Sequence, residues 1–141
     1  MPALHFYQLS LPAPKPTADV DFNAASAERG QAVFNGKANC ASCHVAPLWT
    51  EPGWNDHLPS EMKIDSFQAD RSPDGAYRTM NLSGLYIRER GLFMKPENKG
   101  RFYHDGRFQT LLDVVNSYNS RFSLGLTFQE SQDLVEFLKS L

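Results

Sequence analysis

The sequence predicts an all-α domain, with about four to five short helices joined by long irregular loops. Three observations predict it. Helical periodicity is confined to short stretches, near residues 23–35, 110–122 and 127–141. Between Val45 and Tyr77 no period is sustained, and Pro47, Pro52, Gly53, Pro59, Pro73 and Gly75 punctuate the chain. The only cysteines lie in Cys40-Ala41-Ser42-Cys43-His44. That spacing lets both thiols reach the two vinyl groups along one edge of a haem, while the histidine turns under the iron. One covalent haem would also account for the irregular stretch. A structureless segment of that length counts against a compact domain, unless a large apolar disc gives it something to wrap.

Other readings of the cysteine pair compete. A thioredoxin-like dithiol requires the pair at the head of a helix after a buried strand, and the preceding "FNGKAN" is a Gly/Asn loop. A structural zinc site requires four ligands, and the chain has no third cysteine. Chance occurrence of the pattern is the remaining alternative. Composition narrows the rest. A chain of 141 residues suggests one domain, and a net charge of -2 with no basic run suggests neither nucleic acid nor an anionic membrane as partner. With both thiols spent on haem, no disulfide is expected. Haem attachment to CxxCH takes place outside the cytoplasm in bacteria, so a periplasmic or other extracytoplasmic mature protein is expected. "MPALHFYQLSLPAPKP" lacks the basic start and apolar run of a signal peptide, so the chain reads as a mature or trimmed form. No stretch is long and apolar enough to span a bilayer.

Taken in order, residues 1–21 read as an extended, proline-rich linker or strap, because Pro2, Pro12, Pro14 and Pro16 favour polyproline-like backbone. Its apolar residues Leu4, Phe6, Tyr7, Leu9 and Leu11 are too many for a free tail, so it is expected to pack on something, such as a preceding domain. Residues 22–141 read as the haem domain. "AASAERGQAVF" is rich in helix formers and places Ala27, Gly30, Val33 and Phe34 on one side. Gly30 permits close approach by another helix and Phe34, one turn on, plugs the contact; an ordinary amphipathic helix carrying a glycine is the alternative. In the irregular stretch Trp49, Trp54 and Phe67 are candidates for haem packing, with plain core or surface aromatics as the alternative. A carbonyl near Pro47 would accept the Nδ1 proton of His44 and leave Nε2 to face iron. "SPDG" at 72–75 is a turn, with Pro73 presetting φ and Gly75 accepting positive φ.

Arg78 is a candidate partner for a haem propionate, with a solvated charge as the alternative. His104-Asp105-Gly106 reads as a turn before a helix capped by Thr110 and Asp113, with Leu111, Val115 and Tyr118 on one inward stripe. The last helix opens on Thr127 and Glu130 as a capping box and runs through Leu134, Val135, Leu138 and Leu141. Phe137 or Leu138 would meet Gly30.

"GQAVFNGKANCASCHVAPLWT", "YRT", "RFYHDGRFQTLLDVVNSYN" and "LTFQESQDLVEFLKSL" together resemble the C-terminal haem domain of the bacterial di-haem cytochrome c peroxidase and MauG superfamily. The likeness runs from Phe22 to Leu141. It implies a class I cytochrome c-like fold, in which the helix before CxxCH pairs with the last helix. In that family the C-terminal haem has the CxxCH histidine on one side and a methionine or a tyrosine from the helix after the HDG turn on the other. Carried onto this chain, His44 is the proximal iron ligand and Tyr118 the distal one, an inward core tyrosine being the other reading. Met94, in "RERGLFMKPENKG", is the alternative ligand; Met80 and Met62 rank below it. His104 is carried over as a haem-environment residue acting through hydrogen bonds, whereas His5 and His57 read as incidental.

Two departures matter. The peroxidases have Thr-Pro and then arginine where this chain has Thr79-Met80 and Ser83. Their calcium site draws on a second domain and on carbonyls that here belong to Lys99-Gly100-Arg101, so calcium is not expected. The leading functional expectation is a mono-haem domain that carries single electrons to a redox partner protein or a preceding haem or dehydrogenase domain. The alternative is the C-terminal electron-relay part of a di-haem peroxidase or MauG-like enzyme whose peroxide-binding haem lies outside this chain.

Overall fold

The computed structural model describes residues 2–12, 14–51 and 53–141, without the side chains of His5, Gln8 and Leu9. The readings of His5, Leu9 and Pro52 therefore lie outside the described residues. The architecture is all-α and class I cytochrome c-like. Six helices occur among the described residues: α1 (Pro2–Ser10), α2 (Ala24–Asn35), α3 (Pro59–Met62), α4 (Leu85–Arg90), α5 (Leu111–Phe122) and α6 (Phe128–Lys139). One short ladder joins β1 (Asp56–His57) to β2 (Tyr77–Arg78), antiparallel, with Asp56 opposite Arg78 and His57 opposite Tyr77.

The expectation of an extended N-terminal strap is corrected by α1. Pro2 stands at the first helical position, where its missing N–H has no partner to lose. No proline follows until Pro12, so the intervening residues close helical turns. Leu4, Phe6, Tyr7 and Leu11 are all exposed.

α2 and α6 form the central pair. The Asn23 side chain accepts from the Ser26 amide at 2.8 Å to start α2. At the start of α6 Thr127 Oγ1 accepts from the Glu130 amide at 3.2 Å, while the Glu130 carboxylate accepts from the Thr127 amide at 2.7 Å. The helices cross at Gly30, where a Cβ would lie 1.9 Å from the Asp133 carbonyl oxygen and 2.9 Å from Phe137 Cβ. Phe34 is fully buried beside that crossing, edge-on to Phe137 at 5.0 Å and to Trp49 at 5.9 Å. Asp133, buried on α6, accepts from Ser26 Oγ at 2.8 Å and from Arg29 Nε and Nη2 at 2.8 and 2.7 Å.

α5 and α4 pack on α6 and complete the core with Leu111, Val115 and Leu126. Thr110 and Asp113 form the expected capping box on α5. The Gly84 amide donates to the Leu141 carbonyl at 3.2 Å, and the Leu111 amide donates to Glu89 Oε2 at 2.9 Å, tying α4 to the ends of the other two helices.

Candidate functional site

The site begins at the end of α2. The Ala38 amide donates to the Val33 carbonyl, and Cys40–Ser42 then make one tight 3-10 turn that packs on the core through Cys40 and Ala41. The His44 amide donates to the Cys40 carbonyl at 2.9 Å, so the motif is wound as a single local unit. Both cysteines are free and half-buried. Burial, and then the neighbouring Cys43, push the Cys40 thiol up to about 11. Burial also raises the Cys43 thiol. A redox dithiol needs the opposite shift, toward thiolate, so the environment disfavours thioredoxin-like chemistry.

His44 Nδ1 lies 3.0 Å from the Trp49 carbonyl oxygen, two residues beyond the expected acceptor at Pro47. A proton on Nδ1, donated to that carbonyl, leaves the lone pair on Nε2, the tautomer required of an iron ligand. Burial holds the imidazole below its usual pKa and so neutral near pH 7. Trp49 itself packs edge-on to Phe137 at 5.8 Å, within the core. Trp54 is 86% exposed and Phe67 54% exposed, with the Arg71 guanidinium 3.8 Å above the Phe67 ring, so these two stand on the surface.

α5 and the HDG turn supply a second wall. Phe102 and Phe108 exchange backbone hydrogen bonds of 2.8 and 3.3 Å, closing a loop whose tip is His104-Asp105-Gly106. Asp105 accepts from the Arg107 amide and Nε at 3.1 and 2.7 Å, while Arg107 also pairs with Asp65 at 2.8 Å. His104 lies between the rings of Tyr77 and Tyr103, at 4.6 and 4.8 Å, and burial holds it neutral. Tyr103 has a φ of 81°, a costly conformation for a bulky residue. Its hydroxyl accepts from Arg121 Nη1 at 3.0 Å, and the same nitrogen donates to the Met62 carbonyl at 3.0 Å.

Tyr118 is half-buried, with the Arg121 guanidinium 4.6 Å over its ring and Phe122 stacked on it at 5.9 Å. Burial is the main reason its phenol is raised; Tyr103 and Cys40 add to this and Arg121 opposes it. Arg121 Nη2 is buried with no hydrogen-bond partner, one of two such side-chain atoms among the described residues, the other being Asp56 Oδ1. Met94 lies in the loop between α4 and the Pro96–Asn98 turn, and no interaction among the described residues joins it to the motif.

A third group lies beside Cys43. Glu51 accepts from His57 Nε2 at 2.7 Å, from Thr79 Oγ1 and from Asn55 Nδ2. His57, expected to be incidental, is the partner of a half-buried carboxylate. Ligand atoms of Cys43, Glu51 and His57 lie within 4.8 Å of one another. Arg78, on β2, is 69% exposed, with Nε 3.7 Å from Asp56 Oδ1. It borders two open clefts of about 330 and 260 Å³, the larger also lined by Tyr77 and His104, the smaller by Glu51, Thr79 and Met80.

These features fit a haem. Two thiols share one turn, His44 presents Nε2, and a buried guanidinium nitrogen beside Tyr118 lacks an acceptor. Cys40 and Cys43 would hold the group covalently and His44 would bind its iron. Tyr103, Arg121 and Glu51 escaped the sequence reading. Only the spacing of Arg121, three residues after Tyr118 on one helix face, offered a signal for any of them.

Comparison with known proteins agrees. The cytochrome c family profile matches residues 27–141. "Cytochrome-c peroxidase IdrP1" of Denitromonas iodatirespirans is 30% identical over 152 residues, covering 84% of this chain and 40% of that protein. "Methylamine utilization protein MauG" of Methylophilus methylotrophus is 32% identical over 136 residues, covering 82% of this chain and 36% of that protein. The chain spans about two fifths of the length of these relatives. No solved structure matches it significantly.

Proposed function

The chain belongs to the cytochrome c family, and on that premise we propose that it is a mono-haem electron-transfer domain whose iron is held on both faces by protein side chains. A covalently bound haem supplies one-electron redox chemistry. The observation that carries the reading is the geometry at His44, whose Nδ1 lies 3.0 Å from the Trp49 carbonyl oxygen and leaves Nε2 for iron, on the same turn as the two thiols. Tyr118 is the proposed distal ligand and Met94 the alternative. Were His44 and Tyr118 both to hold the iron, no open position would remain for peroxide, and the chain would relay electrons. Arg78 at the rim of the clefts is the proposed contact for a propionate, and His104 between Tyr77 and Tyr103 orients that wall.

Residues 1–21 are proposed as the segment that joins this domain to a neighbour, with the exposed apolar residues of α1 as its contact. The proposed location is extracytoplasmic, because covalent attachment to CxxCH takes place there, and the proposed partner is a redox protein or a further haem or dehydrogenase domain. The matched relatives' names and the two-fifths coverage favour a second reading, in which this domain relays electrons to a peroxide-reacting haem outside it.

The test is the ferric spectrum of the haem-loaded protein. A low-spin spectrum unmoved by cyanide or peroxide supports electron transfer. A high-spin spectrum with rapid peroxide reaction contradicts it and makes this domain itself a peroxidase.

A further inference from the structure

Behind Cys43 lies a carboxylate that the electron-transfer reading does not use. Glu51 is only 9% exposed, yet its two oxygens collect three side-chain donors, His57 Nε2, Thr79 Oγ1 and Asn55 Nδ2. Each donor is itself placed by backbone structure. His57 lies in β1, paired with Tyr77 of β2. Thr79 directly follows β2, and its carbonyl accepts from Thr50 Oγ1 at 2.7 Å. Asn55 directly precedes β1. A short ladder that adds little to the core therefore holds one ionised side chain beside the haem-attachment motif. Burial alone would raise the Glu51 carboxyl, but the bonds from His57, Thr79 and Asn55 hold it below the usual carboxylate range.

We propose that Glu51 is a positioning residue for the redox centre, a fixed negative charge held by His57, Thr79 and Asn55 within 4.8 Å of Cys43 Sγ that favours the oxidised state of the haem attached there. The proposal rests on the covalent-haem reading. Its physics is Coulombic: the oxidised iron carries one more positive charge than the reduced iron, so a nearby anion stabilises the oxidised form. A unit charge on the order of 10 Å away, at an effective dielectric of ~20, changes such an equilibrium by on the order of tenfold.

The experiment is a potentiometric titration of the haem-loaded chain. Glu51→Gln keeps the shape of the side chain and removes its charge. It is expected to favour the reduced state about tenfold at fixed potential, a rise of about 59 mV for a one-electron couple, with haem content and visible spectrum unchanged. Glu51→Asp restores most of the parent potential. Glu51→Ala, which also removes the charge, is expected to raise the potential in the same direction and decides the matter if Glu51→Gln does not accumulate loaded. Loaded Glu51→Gln or Glu51→Ala protein that titrates at the parent potential overturns the proposal. Release of the pigment by acidified acetone overturns instead the covalent-haem reading beneath it.

Discussion

The backbone of Gly30 meets that of Asp133 so closely that a Cβ on Gly30 would stand 1.9 Å from the Asp133 carbonyl oxygen. No rotamer relieves that clash, because both partners are backbone of packed helices. Gly30→Ala therefore pushes α2 and α6 apart around Phe34 and Phe137. The expected loss is at least about 1–3 kcal/mol of stability, read as a lower urea midpoint in the haem-loaded protein.

Asp133 holds the same crossing by charge. Its bonds to Arg29, Ser26 and Gln129 outweigh burial and bring its carboxyl down to about 2. A carboxylate whose folded pKa lies below its unfolded value adds stability above the unfolded pKa, near 3.9, and loses it as pH falls through the folded value. Asp133→Asn is expected to cost about 2 kcal/mol near neutral pH. The gap between variant and parent closes as pH falls from about 4 to about 2, as measured by denaturant titration across that range.

Tyr118 and Met94 are separated by spectroscopy. Tyr118→Phe is expected to alter the ferric spectrum of the loaded protein, whereas Met94→Ala leaves it unchanged. A parent band near ~695 nm, or a shift confined to the Met94 variant, assigns the distal position to methionine. Tyrosine as phenolate lowers the potential and methionine raises it, so a redox titration of the two variants gives an independent reading.

Much of this arrangement is legible locally. Thr110 with Asp113 and Thr127 with Glu130 announce their helix starts because a capping box is closed within four residues. Gly30 and Phe34 announce the crossing because only a glycine admits a backbone so near, and of the two partners expected, Phe137 is the one found there. The first helix was obscured because prolines at 12, 14 and 16 colour the whole segment, although none falls between residues 3 and 11. What stayed hidden depends on long-range placement. Arg121 meets Tyr103 across 18 residues and the Met62 carbonyl across 59, and Thr79 meets Glu51 across 28. No local pattern encodes such pairs. Trp54 and Phe67 show the converse, aromatic residues whose type suggested burial but which lie in irregular backbone that leaves them in solvent.

The central claim is that one haem is bound through Cys40 and Cys43, and intact mass after washing in acidified acetone tests it most directly. The account predicts the mass of the polypeptide plus one haem, and that of the bare polypeptide when both cysteines are replaced by alanine. A colourless parent protein with the mass of the polypeptide alone would contradict it.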